Sequence, residues 1–533
     1  FLGCARVRAR LSSGRLIDAL RDPARFPHPV ERVEVIETHI SWVLLAGEYA
    51  YKIKKPVALG FLDFSTLQLR RLYCEEELRL NRRTAPRLYL EVVPITGSEA
   101  APLLGGRGEA IEYAVKMRRF PQEALLSRMA QAGALTAGHI DALARATAAL
   151  HAQAARAEAG RPFGTAAEVL APALQNFDQI EALIGPGEEA SELERLRAWT
   201  RAKHEWLRET FAERKAGGFV RECHGDLHLG NVALIDGQPT PFDGIEFSET
   251  LRWTDVMSDV AFMVMDLTDR RLPRLACRFL NAYLEETGDY GGLAVLRFYL
   301  VYRALVRAKV ACIRVHQQGV PAEELRRGER EHLEYLRLAR SLASESRRAL
   351  VLMHGLSGSG KTTVAQYLVE ALGALRVRSD VERKRLVGLE AQARSGSALG
   401  AGLYAADLTA RTYARLAELA HAIVQAGYPA VVDATFLSRG QREAFAALAR
   451  ELGVPYAIAD CQAPEPVLRE RVAARERAAR DASEAGVAVL EHQLASREAL
   501  TDEELSVRVV FDARGEPDTA AVSLAAQLGL ARL

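Results

Sequence analysis

Gly355-Leu-Ser-Gly-Ser-Gly-Lys-Thr362 fills every position of the pattern G-x-x-x-x-G-K-[ST]. An apolar run, Ala349-Leu-Val-Leu-Met-His354, precedes it, and Thr363 to Leu372 follows with helical spacing. Strand, glycine loop and helix in that order make a phosphate-binding loop. The glycines turn backbone N–H groups toward a phosphate, and the helix adds the positive end of its dipole. Nucleotide binding is therefore expected at Gly355, Ser357, Gly358, Ser359, Gly360, Lys361, Thr362 and Thr363. Lys361 is placed to reach the β- and γ-oxygens, and Thr362 the magnesium. A glycine-rich turn without ligand is the plainer alternative, and the full motif in its context argues against it.

A second segment is as dense in chemistry: Cys223-His-Gly-Asp-Leu-His-Leu-Gly-Asn231, then Pro241-Phe-Asp-Gly-Ile-Glu-Phe247. Asp226 and Asn231 have the D-x-x-x-x-N spacing of a phosphotransferase loop, and Asp243 lies on the next strand-like stretch. Phosphoryl transfer to a hydroxyl needs this set: one carboxylate to take the proton, and an amide with a second carboxylate to hold magnesium. A polar turn whose Asp and Asn cap backbone groups is the alternative for either piece alone.

On these residues, 31–330 resembles the aminoglycoside phosphotransferase family, a branch of the protein-kinase-like fold. The resemblance implies Asp226 as catalytic base and Asn231 and Asp243 as magnesium ligands, with His224 structural and His228 beside the site. It also implies an ATP lysine. Ala50-Tyr-Lys52 alternates so that Ala50 and Lys52 share a strand face, which favours Lys52. Lys54 on that face is the alternative, and Lys55 points away. The carboxylate partner is expected from Glu75, Glu76 or Glu77, with Glu76 first, against the alternative of a solvated acidic helix face. The first lobe has no G-x-G-x-x-G loop, as in that family, and nothing in the sequence specifies an aminoglycoside acceptor.

Beyond the phosphate loop, Asp380 just past a second strand and Asp433 ending a third fall where a sheet of this kind binds ligands. Ser379-Asp-Val-Glu-Arg-Lys384, Val432-Asp-Ala-Thr-Phe436 and Arg469-Glu-Arg-Val-Ala-Ala-Arg475 resemble small-molecule P-loop kinases, the zeta-toxin-like and AAA-type predicted kinases among them. The resemblance implies Asp380 as acceptor-activating base, Arg383 near the acceptor and Asp433 as a magnesium-side carboxylate. It also implies Arg471 and Arg475 as lid arginines, which could otherwise be ion-paired surface.

Two scaffolds must position these groups. Strand-like runs at Val33–Ile36, Ile40–Leu45, Ala50–Lys54, Tyr89–Ile95 and Ile111–Met117 surround a helix over 68–83, and mostly helical sequence follows from Glu123 to Lys215. That predicts a small β-rich lobe and a larger α lobe. Asp255 and Asp259, one helical turn apart, read as lobe-stabilising more than metal-proximal. From 349 on, strands at Leu375–Arg378, Ala430–Asp433, Tyr456–Asp460 and Ser506–Phe511 alternate with helices over 380–387, 404–425, 441–452, 464–475 and 519–530. That alternation predicts a parallel α/β sheet.

The fold class expected is thus α/β multidomain: a bilobal kinase-like α+β domain over 31–330, a helical connector over 331–348 and a P-loop domain over 349–533. Residues 1–30, rich in Arg and Pro, are expected to be loosely held apart from a short helix near Leu16–Leu20. Arg6, Arg8 and Arg10 lack the apolar run of a targeting peptide. With 533 residues, 49% hydrophobic and 26% charged, the chain reads as globular. Its net charge of +1 gives no electrostatic argument for nucleic acid or membrane. Six scattered cysteines without a C-x-x-C pair argue against zinc or a disulfide framework and fit a reducing cytoplasm. The expectation is a tandem kinase using ATP and magnesium, each domain phosphorylating a hydroxyl of a small molecule. The rivals are one active kinase gated by a nucleotide-binding partner domain, and a toxin-like nucleotide-sugar kinase. Asx, charge and spacing leave acceptor and oligomeric state open.

Overall fold

The computed structural model describes residues 14–58, 62–316, 321–344, 346–390, 406–478, 486–512 and 515–533. Arg6, Arg8 and Arg10 lie outside them. The chain forms two compact units, one of residues 1–171 and 211–263, the other of 172–210 and 264–533.

The first unit is built on a six-stranded antiparallel sheet. Its strands are β1 (Val33–Glu37), β2 (Ser41–Ala46), β3 (Tyr49–Lys54), β4 (Tyr89–Ser98), β5 (Ala101–Leu104) and β6 (Ala110–Arg118), in the order β1-β2-β3-β6-β4-β5. Gly47, at φ +58°, supplies the left-handed turn between β2 and β3. One sheet face packs under the helix Leu67–Asn81, whose N-cap Thr66 accepts from Leu69 N–H at 3.2 Å. Cys74 from that helix joins Leu45, Ala50, Val115 and Met117 in its core. The other face is covered by the short helix expected near Leu16–Leu20 and by Phe26 from the stretch expected to be loosely held. Leu16, Ile17, Leu20 and Phe26 are buried against Leu44, Tyr51, Ile53 and Ile95. The apolar side chains at 16, 17, 20 and 26, each contributing about 1.5–3 kcal/mol when buried, outweigh the Arg- and Pro-rich composition of the stretch.

Helix and strand pieces that carry the second motif follow. Strand β7 (Val220–Glu222) pairs with β10 (Trp253–Asp255), and β8 (Val232–Ile235) with β9 (Gln238–Pro241), both antiparallel. The D-x-x-x-x-N loop occupies the link between β7 and β8, and Asp243 follows β9.

The second unit contains α1 (Pro273–Thr287), α2 (Leu293–Val315) and α3 (Ala322–Ser344), and then the P-loop region. Most of the expected connector, 331–348, is α3. It packs along α2 so closely that a Cβ on Gly328 would lie 2.4 Å from Val315 Cγ1. His332 ties α3 in place, bonding Ala308 O at 2.8 Å and Glu189 Oε1 at 2.6 Å.

The P-loop region has a parallel sheet of β11 (Ala349–His354), β12 (Leu375–Arg378), β13 (Pro429–Asp433), β14 (Tyr456–Gln462) and β15 (Arg508–Asp512), in the order β12-β13-β11-β14-β15. The central strands β11 and β13 are buried almost throughout, as a sheet covered on both faces requires. Helices α4 (Lys361–Leu372), α5 (Ser379–Arg385), α6 (Ala406–Gln425), α7 (Arg439–Leu452), α8 (Glu465–Ala478), α9 (Val487–Ser496) and α10 (Pro517–Gln527) surround it. The last strand begins at Arg508, not Ser506, because Asp502–Ser506 is a short helix with a Thr501–Glu504 capping box. The expected helix over 404–425 is described from Ala406, its first two residues lying outside the described residues.

Candidate active sites

In the first unit, β3 and the helix Leu67–Asn81 bring Lys52 and Glu77 together. Lys52 Nζ donates to Glu77 Oε1 at 2.8 Å and also to Asp243 Oδ1. Glu77, and not the expected Glu76, is therefore the partner. Glu76 turns to Arg79, 2.8 Å away at the helix surface. The reason is helical register: Arg70, Cys74, Glu77 and Asn81 form the buried stripe of that helix, and Glu76 lies off it. Lys54 shares the site, donating to Glu77 Oε2 at 2.7 Å and to Glu246 Oε1. Lys55 pairs with Glu37 at 2.6 Å, on the other strand face.

Lys54, Glu77 and Glu246 are buried, Lys52 is nearly so and Asp243 is half-exposed, and each faces opposite charge. Burial alone would lower the Lys52 pKa, but Asp243, Glu77 and Glu246 outweigh it and hold it well above its usual value. Burial pushes Glu77 the other way, and Lys52 and Lys54 overcome it, bringing its carboxyl down to about 2. Glu246 is the exception: burial, only partly opposed by Lys54, keeps its pKa raised.

Asp243 adopts φ +62°, a conformation few non-glycine residues hold without support. Support comes from two side chains of the first lobe. Asp243 N–H donates to Tyr89 Oη at 3.1 Å, and Gly244 N–H to Asn81 Oδ1 at 2.8 Å. The loop before it is held as firmly. Asp259 accepts the N–H groups of His224 and Gly225 at 2.8 and 2.9 Å, and Asp255 pairs with Arg214 at 2.6 Å. Both aspartates stabilise the lobe. Burial lowers the His224 pKa, so the ring is neutral. Its Nε2–H then donates to Phe242 O at 2.9 Å, and its Nδ1 accepts from Asp226 N–H at 3.3 Å. Asn231 Nδ2 donates to Asp226 Oδ2 at 2.8 Å, and His228 Nε2 lies 3.5 Å from the same oxygen. The result is an accessible carboxylate, Asp226, beside an amide and a carboxylate, Asn231 and Asp243, both hard oxygen donors of the kind magnesium takes.

In the second unit, one cavity of about 1450 Å³ is lined by Lys361, Thr362, Asp380, Arg383, Asp433, Arg471 and Arg475 together with the glycine loop. All the residues expected at this site, except Gly355 behind the loop, line it. Gly355 sits at φ +135° with its Cα so close to β14 that a Cβ would be 2.5 Å from Cys461 O. Lys361 Nζ donates to Leu356 O at 2.8 Å, and burial lowers its pKa. Asp433 is raised by burial, against Arg376, Arg378 and Lys361, and Thr362 hydrogen-bonds to it. Asp433 Oδ2 is buried with no hydrogen-bond partner among the described residues. An orphaned carboxylate oxygen beside a threonine hydroxyl is a donor set that fits magnesium.

Several residues of this cavity carry no signal in the sequence. Arg378 and Tyr413 line it, and Gln493 of α9 accepts Ser357 N–H at 2.9 Å. Helix α9 was not expected at all; Leu490 anchors it against Leu356, Leu468 and Val472. In the first unit, the stripe spacing of Arg70, Cys74 and Asn81 was the signal that could have singled out Glu77.

Residues 65–299 match the family described as "Phosphotransferase enzyme family", and residues 350–500 that described as "AAA domain". An uncharacterized protein of Mycobacterium tuberculosis strain H37Rv, Rv2004c, is 31% identical over 454 residues, covering 84% of this chain and 88% of that protein. The uncharacterized protein Mb2027c of Mycobacterium bovis matches to the same extent, 31% over 454 residues. Among solved structures, an unliganded sugar kinase from Janibacter sp. is 24% identical with a TM-score of 0.26, covering 34% of this chain and 95% of that one.

Proposed function

The chain belongs to the family of these mycobacterial proteins and is a kinase, and on that premise we propose that it is a tandem ATP-dependent one, with each unit transferring the γ-phosphate of ATP to a hydroxyl of a small molecule. The observation that carries the reading is that each unit separately assembles a basic group for the phosphates, a candidate base and a magnesium-type donor set. In the first unit these are Lys52, Asp226, and Asn231 with Asp243. In the second they are Lys361, Asp380, and Thr362 with Asp433.

The step is the same at both. The acceptor oxygen forms a bond to Pγ as the bond from Pγ to the β,γ-bridging oxygen breaks, and ADP leaves. The hydroxyl proton goes to the carboxylate of Asp226 in one site and of Asp380 in the other. Magnesium would be held by Asn231 and Asp243 in one site and by Thr362 and Asp433 in the other, where it would offset the phosphate charge. Lys52, kept protonated by Glu77 and Asp243, presents a fixed positive charge to the phosphates. In the second site Lys361 must leave Leu356 O to do so, while Arg383 faces the acceptor and Arg471 and Arg475 close on the transferred group. The net charge of +1 gives no electrostatic argument for a nucleic-acid or membrane acceptor.

Calorimetry with a non-hydrolysable ATP analogue and magnesium tests the reading. Two sites are expected for the wild type, and one each for Asp243→Ala and Lys361→Ala. A single site, lost only in Lys361→Ala, would reduce the first unit to a binding or regulatory module.

A further inference from the structure

We propose that Glu285 is a positioning residue of the P-loop site: helix α1, which the sequence places in the phosphotransferase segment, supplies the carboxylate that sets the two arginines flanking Asp433. The inference rests on the kinase reading of that site and adds to it a residue from outside the P-loop region.

Strand β12 is an edge of the parallel sheet, so one side of its backbone has no neighbouring strand among the described residues. Side chains from around α1 take that place. Arg376 N–H donates to Asn281 Oδ1 at 2.7 Å, and Arg376 O accepts from Tyr290 Oη at 3.1 Å. Glu285 then divides its two oxygens between the arginines of the strand. Arg376 Nη2 donates to Oε2 at 2.9 Å, and Arg378 Nη1 to Oε1 at 2.8 Å. Arg385 Nη2 bonds Glu285 O at 2.6 Å, which fixes the end of α1 itself. Burial would raise the Glu285 pKa, but Arg376 and Arg378 overcome it, so the carboxylate is charged.

Both arginines reach the site. Arg376 Nη1 donates to the backbone oxygen of the magnesium-side Thr362 at 3.3 Å, and Arg378 lines the cavity. Arg378 stands in register with Asp433 on β13, and the two arginines are the strongest opposing charges acting on Asp433, whose Oδ2 is left without a hydrogen bond among the described residues. A guanidinium and a divalent cation compete for one carboxylate. By taking one donor of each guanidinium and offsetting part of their charge, Glu285 leaves Asp433 for the metal. A plain edge-strand cap needs only Asn281 and Tyr290; the carboxylate has this further effect.

The test is a titration of the full-length chain, carrying Asp243→Ala to weaken the first site, with a fluorescent ADP analogue in the presence and absence of magnesium. Lys361→Ala identifies the signal of the P-loop site, and if that variant leaves the titration unchanged, the reading on which the inference rests is overturned. Glu285→Gln, equal in size, is expected to cut the magnesium-dependent gain in affinity about tenfold while metal-free binding stays within about twofold. Adding Arg378→Gln to it is expected to restore most of the gain, and Arg378→Gln alone, which keeps the strand cap, to hold or raise it. An unchanged gain in Glu285→Gln, an equal loss with and without magnesium, or a fall in Arg378→Gln alone would overturn the role assigned to Glu285.

Discussion

Lys52 Nζ lies 2.8 Å from Glu77 Oε1, and the other oxygen of that carboxylate is taken by Lys54 at 2.7 Å. One buried acid is therefore shared by two lysines, which Asp243 and Glu246 also engage, while Glu76 beside it in sequence faces Arg79 at the surface. The two glutamates should respond very differently to loss of charge. Glu77→Gln leaves Lys52 and Lys54 with one carboxylate each, Asp243 and Glu246, and is expected to cost about 1.5–3 kcal/mol, together with nucleotide binding at the first site. Glu76→Gln is expected to cost under about 1 kcal/mol. Urea unfolding of the two variants, read in parallel, checks both; equal losses would contradict the pairing.

Acid should expose the same group. The Glu77 carboxyl is brought from 4.5 to about 2 in the fold, so its contribution is complete above about pH 4.5 and fades as pH falls toward 2. The size over that window is about 3 kcal/mol. Glu246 acts with the opposite sign: its raised pKa means the fold favours its protonated form, and this contribution is lost as pH rises through that pKa. The measurement is the difference in unfolding free energy between wild type and Glu77→Gln from pH 5 to pH 2. It should narrow steadily toward acid; a constant difference would refute the assignment.

How far these sites could be read from sequence depends on how local their determinants are. The glycine loop is fixed by strand, turn and helix within two dozen residues, and Asp226 and Asn231 by a five-residue spacing, so each stood out. The choice of Glu77 over Glu76 is set by helical register against a sheet, and an acidic run announces charge without saying which residue turns inward. Gln493 and α9 depend on Leu490 meeting Leu356 and Leu468, residues far off in the chain. Glu285 gave no signal because its meaning comes only from β12 lying beside α1. Leu16, Ile17 and Leu20 were legible as a short helix, but its burial against the sheet was masked by the arginines and prolines around it.

Asp226 and Asp380 are proposed for the same role in unrelated scaffolds, and on that reading their variants should behave alike. Asp226→Asn and Asp380→Asn each remove a proton acceptor and keep the shape. Each is expected to slow transfer at its own site by about 10²–10⁴-fold while nucleotide affinity there changes little. Once an acceptor is found for either unit, single-turnover transfer and nucleotide titration on the same variant separate the two effects. A matching loss of affinity would place the residue in nucleotide binding and not in proton transfer.

The glycines of the phosphate loop are not equivalent, and stability shows it more cleanly than binding does. Gly360 sits at φ +92°, but the nearest atom to an added Cβ is Arg471 Nη1 at 3.9 Å. Gly360→Ala therefore meets only the conformational cost of the left-handed region, about 1–2 kcal/mol. Gly355, at φ +135°, would drive its Cβ to 2.5 Å from Cys461 O, a backbone atom of β14 held in the sheet by its pairing with β11 and β15. A flexible side chain could move aside, but a paired strand in a buried sheet cannot do so cheaply, so overpacking adds about 1–3 kcal/mol. Gly355→Ala should consequently unfold at lower urea than Gly360→Ala, in the absence of any nucleotide. Equal midpoints would mean that the loop relaxes away from β14, and that its close approach to Cys461 is not what requires a glycine at 355.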